Sequence, residues 1–342
     1  MAAGTTVVAG DARTSRLAPV VSDLARGGVS IGVDIGGTKI AAGVVDTDGK
    51  ILRTVRRPTP RNDATAVLNE VASVVDELQQ EVDGTIVGVG VGVAGGVDRS
   101  RATVYFAPNL AWSGVPVRTV LEAATGLPVV VENDGSAAAW AEARFGAAKG
   151  TSNVVMVTVG TGIGGGIVMD GHVMRGAHGV AAEIGHMNAV PDGRPCGCGR
   201  NGCWEQYASG NALVREARTL AAERRSEAGT LLSMGDGTPE GVEGAHITKA
   251  AIHGDPVAVE AFAIVGTWLG RGLADLTAIV DPDAFVIGGG VSEAGDLLLA
   301  NAHRTLTEKV FGGSSRPLPE LVLAELGNDA GIVGAADLVR HE

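Results

Sequence analysis

The chain has 342 residues, 45% of them apolar and 19% charged; that is room for about two domains of roughly 100–200 residues each, and it excludes a small stapled scaffold and a disordered chain. Lys and Arg total 27 against 39 Asp and Glu, a formal net charge of −12 without a basic block, so a nucleic-acid backbone is a poor partner. The 52 glycines fall in short clusters between apolar runs with no triplet period, which excludes collagen.

Residues 1–29 are small, polar and weakly patterned, with a short helix expected around Leu17–Arg26. They read as an appended, mobile extension and lack the basic start and apolar stretch of a secretory signal. The uncharged stretch Gly150–Met169 is broken by glycines in a strand–turn–strand rhythm, unlike a membrane span. A cytoplasmic protein without membrane contact is expected.

From Ser30 the run to Asp46 is two β-type segments joined by a Gly-Gly-Thr turn, followed by a polar turn at Thr47–Lys50: a hairpin opening a sheet. Val67, Leu68, Val71, Val74, Val75, Leu78 and Val82 then recur at helical spacing behind a cap at Asn62-Asp63. Residues 85–98 read as a buried strand. Residues 128–134 read as another that runs into an Ala-rich helix over Gly135–Phe145. Such alternation predicts sheets covered by helices.

The second half repeats this grammar. Residues 155–172 overlay the first hairpin at an offset of 124, pairing Gly36 with Gly160, Val44 with Val168 and Asp46 with Asp170. Residues 283–292 form a strand ending in three glycines, and the last 23 or so residues repeat the strand-into-helix step. The helix over 255–280, capped by Asp255 and Pro256 and stopped at Asp281-Pro282, is apolar on more than one face and reads as a core or subunit-contact helix. The expected fold class is α/β, with two similar halves and a ligand cleft between them. The expected domains are residues 30–141 plus 329–342, and residues 142–328.

Four stretches carry chemistry. Asp34-Ile35-Gly36-Gly37-Thr38-Lys39 has the glycines to aim backbone N–H groups at an anion, a hydroxyl and an ammonium as further donors, and a carboxylate able to reach a hydrated Mg²⁺; it could equally be an ordinary glycine hairpin. Gly160-Thr161-Gly162-Ile163-Gly164 holds the corresponding place in the second half. Neither is a Walker loop or a dinucleotide fingerprint, because neither leads directly into a helix. Asn133 and Asp134 end a buried strand where a helix begins, positions suited both to helix capping and to a carboxylate that accepts a hydroxyl proton. Finally, His186, Cys196, Cys198 and Cys203 are spaced His-x9-Cys-x-Cys-x4-Cys, and these are the chain's only cysteines. That set suits a closed, structural, tetrahedral Zn²⁺ site rather than disulfides. Glu183 and Glu205 flank it.

DIGGTK, the GTGIGGG turn, EIGH followed by CGCGRNGCWEQ, and the END triplet, in this order and spacing over residues 30–342, together resemble the ROK family of sugar kinases and related repressors, nearest to its glucose-phosphorylating, ATP-dependent branch. The resemblance implies a duplicated actin-like, ribonuclease H-like ATPase fold, two domains around a cleft, and a homodimer or homotetramer. It implies that ATP and Mg²⁺ are used to phosphorylate the 6-hydroxyl of glucose. Asp134 would be the base, with Asn133, Glu183, His186 and Glu205 holding sugar hydroxyls and Gly95 and Asn109 lining the sugar from the small-domain side. Gly36–Lys39 and Gly160–Gly164 would hold phosphates, and Gly288, Gly289 and Gly290 would face the adenosine. His186 would give one ring nitrogen to zinc and the other to the sugar. Ala182 departs from the glycine common in the family at that position, and its methyl group shifts the loop slightly. Other hexoses or N-acetylhexosamines as acceptors, polyphosphate as donor, and a sugar-responsive regulator stay open as alternatives.

Overall fold

A computed structural model describes residues 28–60, 63–82 and 84–341. The helix expected around Leu17–Arg26 and the cap residue Asn62 lie outside the described residues.

The first half runs β1 (Val29–Ile35), β2 (Lys39–Val45), β3 (Ile51–Pro58), α1 (Ala64–Gln80), β4 (Ile86–Val93), β5 (Gly96–Val97), β6 (Val104–Ala107), β7 (Trp112–Val115), α2 (Val117–Thr125), β8 (Val129–Asn133) and α3 (Asp134–Arg144). The second comprises β9 (Val154–Val159), β10 (Ile163–Met169), β11 (His172–Val173), α4 (Glu205–Ala208), α5 (Gly210–Glu223), α6 (Gly229–Met234), α7 (Gly244–Ile252), α8 (Pro256–Val280), β12 (Ala284–Gly288), α9 (Asp296–Lys309), β13 (Glu320–Leu323) and α10 (Ala330–His341).

Two five-stranded sheets carry the duplication. Their orders are β3-β2-β1-β4-β8 and β11-β10-β9-β12-β13, position for position the same topology, with the first two junctions antiparallel and the last two parallel. The offset of 124 read from the sequence carries β2 onto β10, end to end. A smaller sheet, β5-β6-β7, extends the first half.

Local signals act as expected at most boundaries. Asp63 caps α1 by accepting the Ala66 N–H at 3.0 Å, and its buried face is Val67, Leu68, Val71, Val74, Val75 and Leu78. Asp255 caps α8 through the Val257 and Ala258 N–H groups, both at 3.1 Å, and Asp281 ends it in the left-handed conformation. Helix α8 has the length and apolarity of a membrane span, but 61% of its most apolar window is buried and it packs against α5 and α9. It is a core helix.

Packing exchanges the two hinge helices. Helix α3 follows a first-sheet strand yet packs on β10 and β9, whereas α10 follows β13 and packs on β1 and β4; the two helices also pack on each other. Together with the inner faces of both sheets they form one buried layer that includes Ala137, Trp140, Met156, Val286, Val333 and Leu338. Close approach is made possible by glycine: a Cβ on Gly90 of β4 would overlap the Ala335 carbonyl group of α10. The C-terminal ends of β1, β4, β8, β9 and β12 are thereby brought around one opening.

Candidate active site

That opening is a cavity of about 700 Å³, walled by both sheets. Ligands in open α/β sheets sit beyond the carboxyl ends of the strands, and the walls conform: Asp34 comes from the end of β1, Gly95 from the turn after β4, Asn133 and Asp134 from the β8–α3 corner, and Gly288–Gly290 from the end of β12. Asn109, Glu183, His186 and Gly164 complete the predicted residues that line it.

Asn133 takes the helix-capping role that the sequence left open. Its Oδ1 accepts the Ser136 N–H at 3.0 Å as the cap of α3, and its Nδ2 donates to the Gly95 carbonyl at 3.2 Å. One amide hydrogen and one lone pair remain for a ligand. Asp134 is the first residue of α3, faces the cavity, and is held well above the ordinary carboxylate range by burial. Burial also raises Asp34, to about 6, with the charge of Asp134 adding to the effect and that of Lys39 opposing it. Two neighbouring carboxyl groups beside the β1–β2 glycine turn are a donor set that a hydrated divalent cation fits.

The glycine turns stand at the edge of this space. Gly36, Gly37, Thr38 and Lys39 form the β1–β2 turn, closed by Gly36 N–H to the Lys39 carbonyl at 3.0 Å, with Thr38 and Lys39 exposed. Gly160, Thr161 and Gly162 form the β9–β10 turn and are braced from behind, where Gly210 N–H donates to the Gly160 carbonyl at 2.8 Å. Neither set lines the open cavity, unlike Gly164 and Thr158 beside them. On the opposite wall Gly289 has φ +87°, and a Cβ there would lie 2.6 Å from the Val159 carbonyl oxygen, so only glycine fits.

His186, Cys196, Cys198 and Cys203 converge, their ligand atoms all within 4.8 Å of one another. His186 Nδ1 is 3.7 Å from Cys196 Sγ and the Cys198 and Cys203 sulfurs are 3.5 Å apart; a tetrahedral Zn²⁺ with Zn–S near 2.3 Å has ligand separations of about 3.8 Å. The residues therefore fit the ion. The Arg200 backbone N–H lowers Cys198 to about 6, favouring its thiolate, while burial raises Cys196 and Cys203. Glu205 does not line the cavity. Its Oε1 lies 2.9 Å from Cys196 Sγ and 3.8 Å from His186 Nδ1, behind the histidine.

Two further residues shape the site without a role assigned from the sequence. Ala182, in the wall, has φ +67°, the left-handed conformation that glycine would adopt without strain. Glu142 of α3, fully buried, accepts the Ala147, Glu325 and Leu326 N–H groups at 2.9, 3.2 and 2.8 Å. It thereby holds the chain where it leaves β13, and Leu323 at the end of that strand and Ala324 and Asn328 beyond it line the cavity with Gly288–Gly290. An acid within the Ala-rich run of α3 is the sequence signal that could have found Glu142.

Comparison with known proteins gives a consistent result. Residues 30–342 match the ROK family. A glucokinase of Streptomyces coelicolor is 53% identical over 314 residues, covering 92% of this chain and 98% of that protein. A glucokinase of Thermotoga maritima is 36% identical over 316 residues, covering 91% and 97%. Among solved structures, a ROK family glucokinase from Streptomyces griseus in complex with glucose and AMPPNP superposes with a TM-score of 0.81 at 50% identity, covering 92% of this chain and 100% of that one.

Proposed function

The chain belongs to the ROK family, and from that membership and the chemistry of the cleft we propose that it is an ATP-dependent kinase that phosphorylates glucose at the 6-hydroxyl. The observation that carries this reading is one cavity lined by Asp134, Asn133, Asn109, Glu183 and His186 together with Asp34 and Gly288–Gly290. The same pairing of ligands, glucose with an ATP analogue, is named for the structural relative at 50% identity.

In this reading the sugar is held by Asn109, the free amide valences of Asn133, Glu183 and His186, with Glu205 behind the histidine. Asp134 accepts the proton of the attacking hydroxyl late in the transfer; its raised affinity for a proton in a buried site makes it a better base than an exposed carboxylate. The two glycine turns, with Thr38 and Lys39, offer N–H, hydroxyl and ammonium donors to the phosphates, and Gly288–Gly290 leave room for the adenosine. Asp34 would hold the Mg²⁺, which when bound neutralises phosphate charge. The four-ligand set would hold Zn²⁺, a structural ion that fixes the loop between Glu183 and Glu205. Alignment and charge neutralisation carry most of the rate in such transfers.

The test is a coupled ATP-consumption assay of purified, zinc-replete protein with glucose, mannose, N-acetylglucosamine, N-acetylmannosamine and fructose, and a control without sugar. The highest kcat/KM is expected with glucose. A different leading sugar would change the substrate and keep the mechanism, and no sugar-dependent ATP loss would overturn the reading.

A further inference from the structure

A buried ion pair ties the sugar-side loop to the strand that ends in Asn133-Asp134. Arg175, two residues past β11, donates from Nε to Glu132 Oε2 at 2.7 Å; the Glu132 side chain is 3% exposed and that of Arg175 19%. The other carboxylate oxygen of Glu132 accepts the Asn133 backbone N–H at 3.0 Å. Asn133 in turn caps α3 and bonds Gly95. The arginine thus reaches the catalytic corner through one intervening residue.

The loop that carries it is seated on the first half of the molecule. Its Ala181 N–H closes on the Arg175 carbonyl at 3.2 Å, Gly179 is left-handed with no room for a Cβ against Val97, and Val180 lies over Gly96. It then passes through Ala182 into Glu183, which lines the cavity. A second arginine, Arg101, stands 3.5 Å from Glu132 Oε2. Removal of Arg175 therefore leaves the Glu132 charge accompanied but takes away the 2.7 Å hydrogen bond that holds its Oε2 toward the loop.

We propose that Arg175 is a positioning residue for phosphoryl transfer: through Glu132 it sets the Asn133-Asp134 corner against the Glu183 wall of the same cleft. This role rests on the kinase reading above. A misplacement of about 1 Å at reacting groups costs on the order of 100-fold in rate, whereas Gly288–Gly290, assigned above to the adenosine, stand at the end of β12 in the other sheet.

The variants are Arg175→Met, Arg175→Lys, Glu132→Gln and the Arg175→Met/Glu132→Gln double variant, compared with the parent for kcat, for KM with glucose and ATP, for bound zinc, and for ATP hydrolysed per sugar phosphate formed. Arg175→Met is expected to lower kcat by about 10–100-fold, to leave KM for ATP within about threefold, and to raise the share of ATP lost to water, because a displaced base no longer favours the sugar hydroxyl. Arg175→Lys, which keeps the charge and is the deciding variant if Arg175→Met does not fold, should lose less but show the same split. The double variant should be no worse than Arg175→Met, since both changes break one link. Folded variants with kcat within twofold of the parent, losses that multiply in the double variant, or a rate loss with an unchanged hydrolysis share would overturn the role. A parent that transfers phosphate to no sugar overturns the kinase reading and this role together; an active parent with unaffected variants overturns this role alone.

Discussion

Nδ1 of His186 stands 3.7 Å from Sγ of Cys196 while the same imidazole forms part of the wall of the substrate cavity. The Cys/His knot and the wall of the cleft therefore share one residue. Anything that reorients the imidazole from the cysteine side changes what it presents to a ligand.

For that reason Cys198→Ser, at an exposed position that does not itself line the cavity, is expected to lower bound zinc and to weaken glucose binding by about 10-fold or more. Metal analysis beside calorimetric titration with glucose checks both. Unchanged glucose affinity in a zinc-depleted variant would contradict the coupling.

Asp134→Ala removes the cavity-lining carboxylate of the β8–α3 corner while Asn133 continues to cap the helix. Turnover should fall by roughly 10²–10⁴-fold, with circular dichroism and zinc content unchanged. Because burial holds the Asp134 carboxyl above its ordinary range, and the reaction needs it ionised, kcat/KM of the parent should rise with pH through a limb lying above that range. A pH–rate profile flat down to the ordinary carboxylate region would rule out this base.

Asp34 supplies a separate pH effect, on stability. Its folded-state value is raised to about 6 from 3.8, so the folded protein binds the extra proton between those limits and unfolding releases it. The contribution is thus full below about pH 4 and is lost as pH rises through about 6, a loss on the order of 3 kcal/mol. Urea unfolding of the parent and Asp34→Asn across this range should show the parent losing stability relative to the variant, and Mg²⁺ with nucleotide should restore it. A constant difference would argue against the burial of a charged Asp34.

Ala182 adopts φ +67°. The left-handed conformation costs a residue with a Cβ about 1–2 kcal/mol, partly offset in glycine by its larger unfolded-state entropy. Ala182→Gly should therefore stabilise the protein by about 0.5–1 kcal/mol, with KM for glucose little changed. Thermal unfolding settles the sign.

What was legible in the sequence was local. The β1–β2 and β9–β10 hairpins showed themselves because strand alternation and a glycine turn lie within some sixteen residues, and their repetition at an offset of 124 disclosed the duplication. The caps Asp63 and Asp255 and the four-residue knot were readable for the same reason: the donors and the groups they serve are near neighbours along the chain. The family likeness added expected roles for residues such as Gly95 and Asn109, which stand outside the four stretches that carried a chemical signal.

Only the tertiary structure decided the rest. Glu142 meets Glu325 and Leu326 across 183 and 184 positions, and Arg175 meets Glu132 across 43; no periodicity relates such pairs, because each is set by where whole elements pack. The exchange of α3 and α10 between the sheets has the same origin. Apolar stripes specify that a helix will be buried, whereas the choice of sheet depends on glycines such as Gly90 that let one backbone approach another. The sequence determined the elements, the duplication and the chemical inventory of the site. Packing determined which of those groups face one another across the cleft.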